Sequence, residues 1–463
     1  MKNIFKKAYW AICILILPVC TFAQDDDALM IRKIYDEVLL NGKAYGWLDH
    51  LCRQYPNRIG GSDIYVKSAY HMQEMMATIP GVRSTLQDCE TNYWHRGNKE
   101  EAYIVSPEGT KIPINVLTLG NSVGTPEEGV LAEIIEVQSL DEVEKLGRKN
   151  IEGKIVLFNR PMDPTKVQTF YAYGGASDQR VFGPAISAEY GAKAVLVRSL
   201  TTLQDDYPHT GVTVYKDTVH RIPGLAISTN DANRISDLLK KGKVAAFVKT
   251  DCKNMGLRYA PSVIGEIKGS EFPDEIILVG GHLDSWDVSE GAHDDGAGVV
   301  QSMEVLRVLT SLGYKPKRTI RCVLFSNEEN GAAGGRTYAE VSNSKNEFHI
   351  AAIESDAGGF TPRGFSFEAD TSVFKTYYKH VSQWLPLLES YDLQFYIGYS
   401  GVDVSFLKSQ KGLLVGLVPD SQRYFDIHHS AKDNMDNVNQ RELELGAAAM
   451  ASLVYLLDNY GIH

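Results

Sequence analysis

The sequence has little cysteine, no excess of positive charge and no long apolar run after its first residues. Six cysteines in 463 residues, without a C-x-x-C pair, make a cysteine metal site improbable and do not require disulfides. A formal net charge of −11, with no basic stripe, argues against nucleic acid as a partner. Beyond the N-terminus, no stretch approaches the ~20 apolar residues of a membrane span. We therefore expect neither a nucleic-acid partner nor a membrane span.

The N-terminal residues 1–23 have the pattern of a secretory signal peptide. Three lysines precede the apolar stretch 8–19, and a small-residue cleavage pattern ends at Ala23. We predict that this segment is removed and that the mature chain is exported, to be secreted or periplasmic. A lipid anchor at Cys20 is the alternative, although the residues before it lack the small side chains such an anchor prefers.

The mature chain is long enough for two or three domains, and its composition is that of an ordinary globular protein. Residues 24–120 open with helical patterns and continue with early strands. Residues 121–254 alternate strands and helices but contain no concentrated group of His, Asp and Glu. Residues 255–463 form a regular α/β run, with strands predicted at 276–280, 320–325, 350–354 and 413–417.

The stretch 280–298, G-G-H-L-D-S-W-D-V-S-E-G-A-H-D-D-G-A-G, concentrates His and Asp between a predicted buried strand and a predicted helix. In open α/β sheets, ligands and catalytic groups collect at such strand ends. His282 and Asp284 are two residues apart, so one can bind a metal while the other accepts the spare imidazole proton. Asp294 and Asp295 precede the helix, where capping accounts for only one of them. We therefore predict a metal-binding loop that needs further ligands.

Three later clusters also follow predicted strands. Glu328 and Glu329 lie in S-N-E-E-N-G, Asp356 lies in E-S-D-A-G-G, and His428 and His429 follow the last strand after a polar loop. Consecutive glutamates diverge at a strand end, so one can bind metal while the other acts as a general base; a solvated acidic turn is the alternative. Since all four clusters follow strands of one predicted sheet, we expect them to meet at one edge.

Histidine mixed with carboxylates is the ligand set expected for zinc. Two Zn²⁺ ions bring four positive charges, which three ligand carboxylates and one bridging hydroxide would balance. Such a site can be buried without a large uncompensated charge. The residues therefore favour two zinc ions over one.

Five segments occur in the same order as the motifs of one family and at similar intervals: "GGHLDSW", "HDDGAG", "SNEENG", "ESDAGGF" and "HHS". The chain resembles the co-catalytic zinc exopeptidases of the aminopeptidase and glutamate-carboxypeptidase family over essentially its whole mature length. The resemblance implies an α/β zinc-exopeptidase fold (phosphorylase/hydrolase-like), with a mixed sheet flanked by helices. Within residues 121–254, "IEGKIVLFNRP", "EYGAKAVLVRS" and "IPGLAISTNDA" resemble the protease-associated domain, which would be inserted between the N-terminal part (24–120) and the catalytic part (255–463) of the peptidase domain.

The resemblance also implies a ligand set for two Zn²⁺ ions per chain. His282 and Asp356 would bind one ion, Glu329 and His429 would bind the other, and Asp294 would bridge them. His429 is preferred to its neighbour because family members have Ser or Thr directly after the zinc-binding histidine.

Four further roles are implied in the same way. Glu328 would be the general base that takes a proton from the bridging water and delivers it to the leaving amine, and Asp284 would orient the imidazole of the first ligand. His428 stands where many relatives have an oxyanion-stabilising tyrosine, and Asp403 lies in a segment that resembles a substrate-pocket loop, where it would meet a substrate ammonium. The peptide bond after the bridging aspartate is expected to be cis. We interpret five other histidines as structural or surface residues, namely His209, His220, His293, His349 and His380.

These expectations describe a secreted dinuclear-zinc exopeptidase that acts on dipeptides or short peptides, with a homodimer implied by the resemblance alone. Two alternatives remain open: an inactive, receptor-like homologue, and a single-zinc amidohydrolase or cyclase on the same fold. The sequence does not distinguish aminopeptidase, carboxypeptidase and dipeptidase activity.

Overall fold

The computed structural model describes residues 20–98 and 100–462, with side chains from residue 26 onward. Residues 1–19 of the predicted signal peptide lie outside the described residues, as does the side chain of Cys20. Over the described part of the chain, no helix is both long enough and apolar enough to cross a membrane.

The described residues alternate strands and helices along most of the chain. The strands are β1 (Arg83–Gln87), β2 (Glu90–His95), β3 (Glu100–Val105), β4 (Lys111–Pro113), β5 (Val116–Thr118), β6 (Val130–Val137), β7 (Ile155–Phe158), β8 (Ala194–Arg198), β9 (Gly224–Ile227), β10 (Ala245–Thr250), β11 (Lys253–Tyr259), β12 (Ser262–Ile267), β13 (Phe272–His282), β14 (Arg318–Phe325), β15 (Phe348–Glu354), β16 (Pro362–Glu368), β17 (Gln394–Ile397) and β18 (Leu413–Pro419). The helices are α1 (Cys20–Asn41), α2 (Ala44–Gln54), α3 (Asp63–Ala77), α4 (Leu140–Ile151), α5 (Thr169–Gly174), α6 (Asp178–Val181), α7 (Gly183–Glu189), α8 (Thr229–Leu239), α9 (Ala297–Ser311), α10 (Ala333–Ser344), α11 (Phe374–Val381), α12 (Leu385–Leu388), α13 (Val402–Ser405) and α14 (Gln440–Tyr460).

The first sheet has eight strands in the order β1-β12-β14-β13-β15-β18-β16-β17. Its neighbours β14, β13, β15 and β18 run parallel, so their carboxyl ends lie at the same edge. These are the four strands predicted from the apolar runs. The expectation that the clusters following them meet at one edge is confirmed.

Helices α9 and α14 cover this sheet and share its hydrophobic core with α1 and α2. α14 begins at a capped turn, because the Asn439 side chain accepts the Glu442 N–H at 3.1 Å. Small residues let the two helices approach closely: a Cβ added to Gly446 would lie 2.1 Å from the Gln301 side-chain nitrogen. Packing of α9 against the sheet fixes the loop that precedes it.

The second sheet also has eight strands, in the order β4-β3-β10-β6-β7-β8-β9-β5. Its parallel centre runs from β6 to β9, and β7, β8 and β9 lie in the three segments that resemble the protease-associated domain. Every residue of β7 and β8 is buried. β3 joins this sheet by pairing with β10, and β4 and β5 also belong to it. The sheet therefore draws on residues on both sides of position 121.

Two contacts tie the second sheet to the loop that follows β13. Trp286 lies against Gly120, just after β5, where an added Cβ would fall 1.9 Å from the indole ring. It also packs edge-on against Trp94 of β2, which pairs with β11 in a separate two-stranded sheet. Arg96 is buried and donates to the Asp287 carboxylate at 2.6 Å, and it also bonds the Thr118 carbonyl. The four described cysteines are buried free thiols, namely Cys52, Cys89, Cys252 and Cys322.

Candidate metal centre

The loop after β13 is held from within by one of its own carboxylates. Asp295 accepts the His282 N–H at 2.9 Å and the Gly298 N–H at 3.0 Å, which joins the end of the strand to the start of α9. Gly298 lies so close to β15 that an added Cβ would fall 1.9 Å from the Ser355 carbonyl oxygen. The Asp294–Asp295 peptide bond is cis, as the family resemblance implies.

The first predicted ligand set, which we call the first position, lies around His282. Its Nε2 is 3.2 Å from Asp294 Oδ1 and 3.5 Å from Asp356 Oδ1. The imidazole is buried, and its Nδ1 lies 3.0 Å from the main-chain carbonyl of Asp284, to which it can donate. That hydrogen bond leaves Nε2 free to bind a metal.

The second predicted set, the second position, lies around His429. Its Nε2 is 3.2 Å from Glu329 Oε2 and 3.2 Å from Asp294 Oδ2. Asp294 thus presents one oxygen to each position, and the structure brings all five predicted ligands together.

These separations suit zinc. Two ligand atoms at zinc distances of about 2.0–2.2 Å lie about 3.3 Å apart across a tetrahedral angle. Among the described residues, Asp294 Oδ2 and Glu329 Oε1 are buried without a hydrogen-bond partner. Because burying an unpaired carboxylate oxygen is costly, a cation fits both places.

The carboxylates of the cluster respond to burial in different ways. Burial raises the pKa of Glu328 and of Glu329 well above the usual range, and neighbouring carboxylates raise both further. Burial also opposes ionisation of Asp294, but the nearby imidazoles of His282 and His429 outweigh it and hold the pKa of this carboxyl well below its usual range. So dense a set of buried acids calls for compensating positive charge.

Asp284 supports both sides of the site. Its carboxylate accepts the N–H of Glu328 at 3.1 Å and of Glu329 at 3.4 Å, while its carbonyl faces the His282 imidazole. Its carboxylate oxygen is 3.7 Å from His282 Nδ1. The contacts to the histidine and to the glutamate turn both suit a positioning role.

The two residues predicted to meet substrate lie in different surroundings. His428 stacks on His429 at 3.5 Å between ring centroids and places Nε2 3.5 Å from Asp294 Oδ2, at the cavity wall. Asp403 is buried behind the cavity and accepts the Gly335 N–H at 3.1 Å. Glu354 stands in the wall instead, where it accepts the Val404 N–H at 2.8 Å.

A cavity of about 1030 Å³ opens onto the metal centre. Glu328 lines it together with predicted ligands from both positions. One wall comes from the second-sheet region and includes Phe170, Tyr171, Tyr173 and Arg180, which the sequence analysis did not single out. Residues 121–254 were expected to contain no concentrated group of His, Asp and Glu, and these four residues belong to the short helices α5 and α6.

Comparison with known proteins agrees with this geometry. The model of Peptidase family M28 matches residues 262–454. Carboxypeptidase Q from Bos taurus is 32% identical over 402 residues, which cover 86% of this chain and 82% of the bovine protein. Carboxypeptidase Q from Xenopus laevis is 33% identical over 435 residues, covering 92% and 89% of the two chains. The chain belongs to peptidase family M28.

Solved structures confirm the fold of this M28 chain. A peptidase M28 precursor from Shewanella amazonensis superposes with a TM-score of 0.89 at 28% identity, covering 94% of this chain and 97% of that one. BSAP, a zinc aminopeptidase from Bacillus subtilis, shares the fold with a TM-score of 0.61 at 18% identity, covering 89% and 94%. The predicted α/β zinc-exopeptidase fold is thus confirmed, and the M28 chain is a metallo-exopeptidase.

Proposed function

We propose that this M28 chain is an exported dinuclear-zinc exopeptidase that hydrolyses dipeptides or short peptides. The observation that carries the proposal is the placement of Asp294, whose two oxygens face two separate donor sets. One ligand shared by both positions, with two further ligands at each position, suits two ions. A single ion would leave the buried negative charge of the other position uncompensated.

The chain's own residues supply the proton chemistry. Zinc, when bound, polarises the scissile carbonyl and lowers the pKa of a water molecule toward neutrality. Glu328 lines the cavity, and its raised pKa suits a group that accepts a proton and returns it to the leaving amine. Asp284 fixes the turn so that Glu328 faces substrate while Glu329 faces the second position.

We propose that the free carboxylate of the substrate meets Arg180. Within the described chain, this is the one Arg or Lys in the cavity wall, and its Nη1 lies 3.5 Å from His429 Nδ1. Its Nε is buried with no hydrogen-bond partner among the described residues, although Nη2 donates to the Tyr173 hydroxyl at 2.7 Å. A carboxylate is the group such a guanidinium binds best, which favours dipeptidase or carboxypeptidase action. The name of the carboxypeptidase Q relatives points the same way.

We also propose that residues 1–23 act as an export signal, that residues 121–254 belong to a protease-associated-like inserted domain, and that the enzyme is a homodimer. N-terminal sequencing of the mature protein and sedimentation equilibrium test the first and last of these. No ligand is proposed for the inserted domain.

The decisive experiment pairs metal analysis with Glu328→Gln. We expect two zinc ions per chain in both proteins and a fall in kcat of about 10²–10⁴-fold in the variant, the usual contribution of a general base. One zinc ion per wild-type chain would favour the single-zinc amidohydrolase or cyclase. Two ions without hydrolysis of any dipeptide, free or C-terminally amidated, would favour the inactive receptor-like protein.

A further inference from the structure

We infer that the second sheet holds the metal ligand His429 in place through the dipeptide His209–Thr210, so that zinc affinity at the second position depends on that sheet. The inference rests on the two-ion site proposed above. It assigns positioning roles to two residues that the sequence analysis left without a function.

Three hydrogen bonds join the two dipeptides. His209 Nδ1 lies 2.6 Å from the His428 carbonyl oxygen, and since a carbonyl can only accept, Nδ1 carries the proton. The Thr210 N–H donates to the His429 carbonyl at 2.9 Å. In return, the Thr210 carbonyl lies 3.3 Å from His429 Nδ1, which donates to it when Nε2 faces a metal.

The backbone of His429 needs such support. Its φ is 59°, a left-handed conformation that is unfavourable for a non-glycine residue. Such a residue keeps its conformation only where its surroundings determine it. The hydrogen bonds from His209 and Thr210 hold the carbonyl groups of the two peptide bonds that flank the Cα of His429.

The supporting dipeptide is itself fixed to the second sheet. The His209 N–H donates to the Ser199 hydroxyl at 2.7 Å, just after β8, and the Thr210 hydroxyl donates to the Thr118 carbonyl at 2.8 Å, at the end of β5. Both residues are buried. A displacement of the second sheet would therefore move the ligand.

The hydrogen bonds that orient the first-position histidine do not come from the second sheet, although Trp286 and Arg96 connect the same loop to that sheet. His282 is oriented by the Asp284 carbonyl and its N–H is held by Asp295, both of which belong to the same loop of the first sheet. Removing the contacts of His209 and Thr210 should therefore weaken binding of one zinc ion and leave the other in place.

The test compares three variants of His209 in the full-length enzyme. His209→Leu and His209→Gln remove the donor at the Nδ1 position, whereas the amide of His209→Asn replaces it. His349→Leu is the matched control, because this buried histidine bonds Gln410 and Tyr338 away from the metal centre. Each apoprotein is titrated with zinc against a chromophoric chelator, and His429→Ala identifies which dissociation constant belongs to the second position.

We expect His209→Leu and His209→Gln to raise the zinc dissociation constant of the second position about 10–100-fold, the usual effect of losing a partner that orients a metal ligand. The first-position constant should stay unchanged, His209→Asn should restore the second, and His349→Leu should alter neither. Equal weakening of both ions, or wild-type affinity in both Leu and Gln variants, would overturn the inference. If His209→Leu does not fold, the comparison of His209→Asn with His209→Gln provides the test. A wild-type protein that binds only one ion would instead refute the proposed function.

Discussion

The two eight-stranded sheets serve the same cavity in different ways. The first sheet presents side-chain ligands from the ends of adjacent parallel strands, so residues as far apart in sequence as His282 and His429 meet at one edge. The second sheet presents mainly backbone groups, one guanidinium and an aromatic wall. The side chains predicted to bind metal thus lie on the first sheet. The second sheet supports one of them and completes a cavity wall that the first-sheet region also lines.

The largest effect on zinc binding and hydrolysis is expected from a substitution among the predicted ligands of the first sheet. Asp294→Ala removes the one ligand common to both positions and leaves His282 and His429 without a shared anion. We expect both zinc affinities to fall and hydrolysis to drop by at least the 10²–10⁴-fold expected for Glu328→Gln. Zinc content after dialysis and kcat on a dipeptide measure the two effects.

Asp356→Ala provides the contrast, since it removes a ligand of the first position only. It should lower zinc content by one ion, whereas Asp294→Ala should lower the affinity of both. If the two variants lose the same single ion, Asp294 does not bridge.

The parts of the site on the first sheet could be predicted because their signals are local. Apolar runs of four to eight residues indicate buried strands, and the strand predicted at 276–280 is the centre of β13. The clusters that follow such strands meet because parallel strands end together. Individual roles, such as Asp294 as the bridge, came from family resemblance.

The contribution of the second sheet could not be predicted, for physical reasons. The Thr210 groups that hold His429 belong to the main chain, which every residue type shares. The membership of β3 in the second sheet depends on its pairing with β10, about 140 residues later, for which no local pattern exists. Nothing in the sequence distinguishes Arg180 from other cationic residues, since only the fold places it beside the second position.

A smaller effect is expected from loosening the contact between the sheets. Arg96 is buried and pairs with Asp287 in the metal loop and with Glu100 in β3. Arg96→Met leaves both carboxylates without their partner, so the free energy of unfolding should fall by about 3 kcal/mol, as is usual when one member of a buried pair is lost. Urea denaturation measures it.

Arg148→Met is the control for that change, because its pairing with Glu152 is solvent-exposed on the same sheet's helix. Arg148→Met should lower the free energy of unfolding by no more than about 1 kcal/mol. Equal costs for the two substitutions would mean that Arg96 does not join the sheets. Zinc content should fall further in the Arg96 variant than in the control, since Asp287 lies in the loop that carries His282 and Asp294.

The smallest effect we expect concerns substrate choice, and it tests whether the second sheet contributes to recognition as well as support. Arg180→Met removes the cation that is proposed to bind the substrate carboxylate. A hydrogen bond to a charged group is worth about 1.5–3 kcal/mol, so kcat/KM for a dipeptide with a free carboxylate should fall about 10–100-fold. The same dipeptide as its C-terminal amide should be cleaved equally by both enzymes, and Arg180→Lys should keep part of the preference. Zinc content is the control for this comparison of the two substrates. Because Arg180 also lies beside His429, the variant must retain two zinc ions. If both substrates lose activity equally while both ions are retained, Arg180 supports the cavity wall and the carboxylate binds elsewhere.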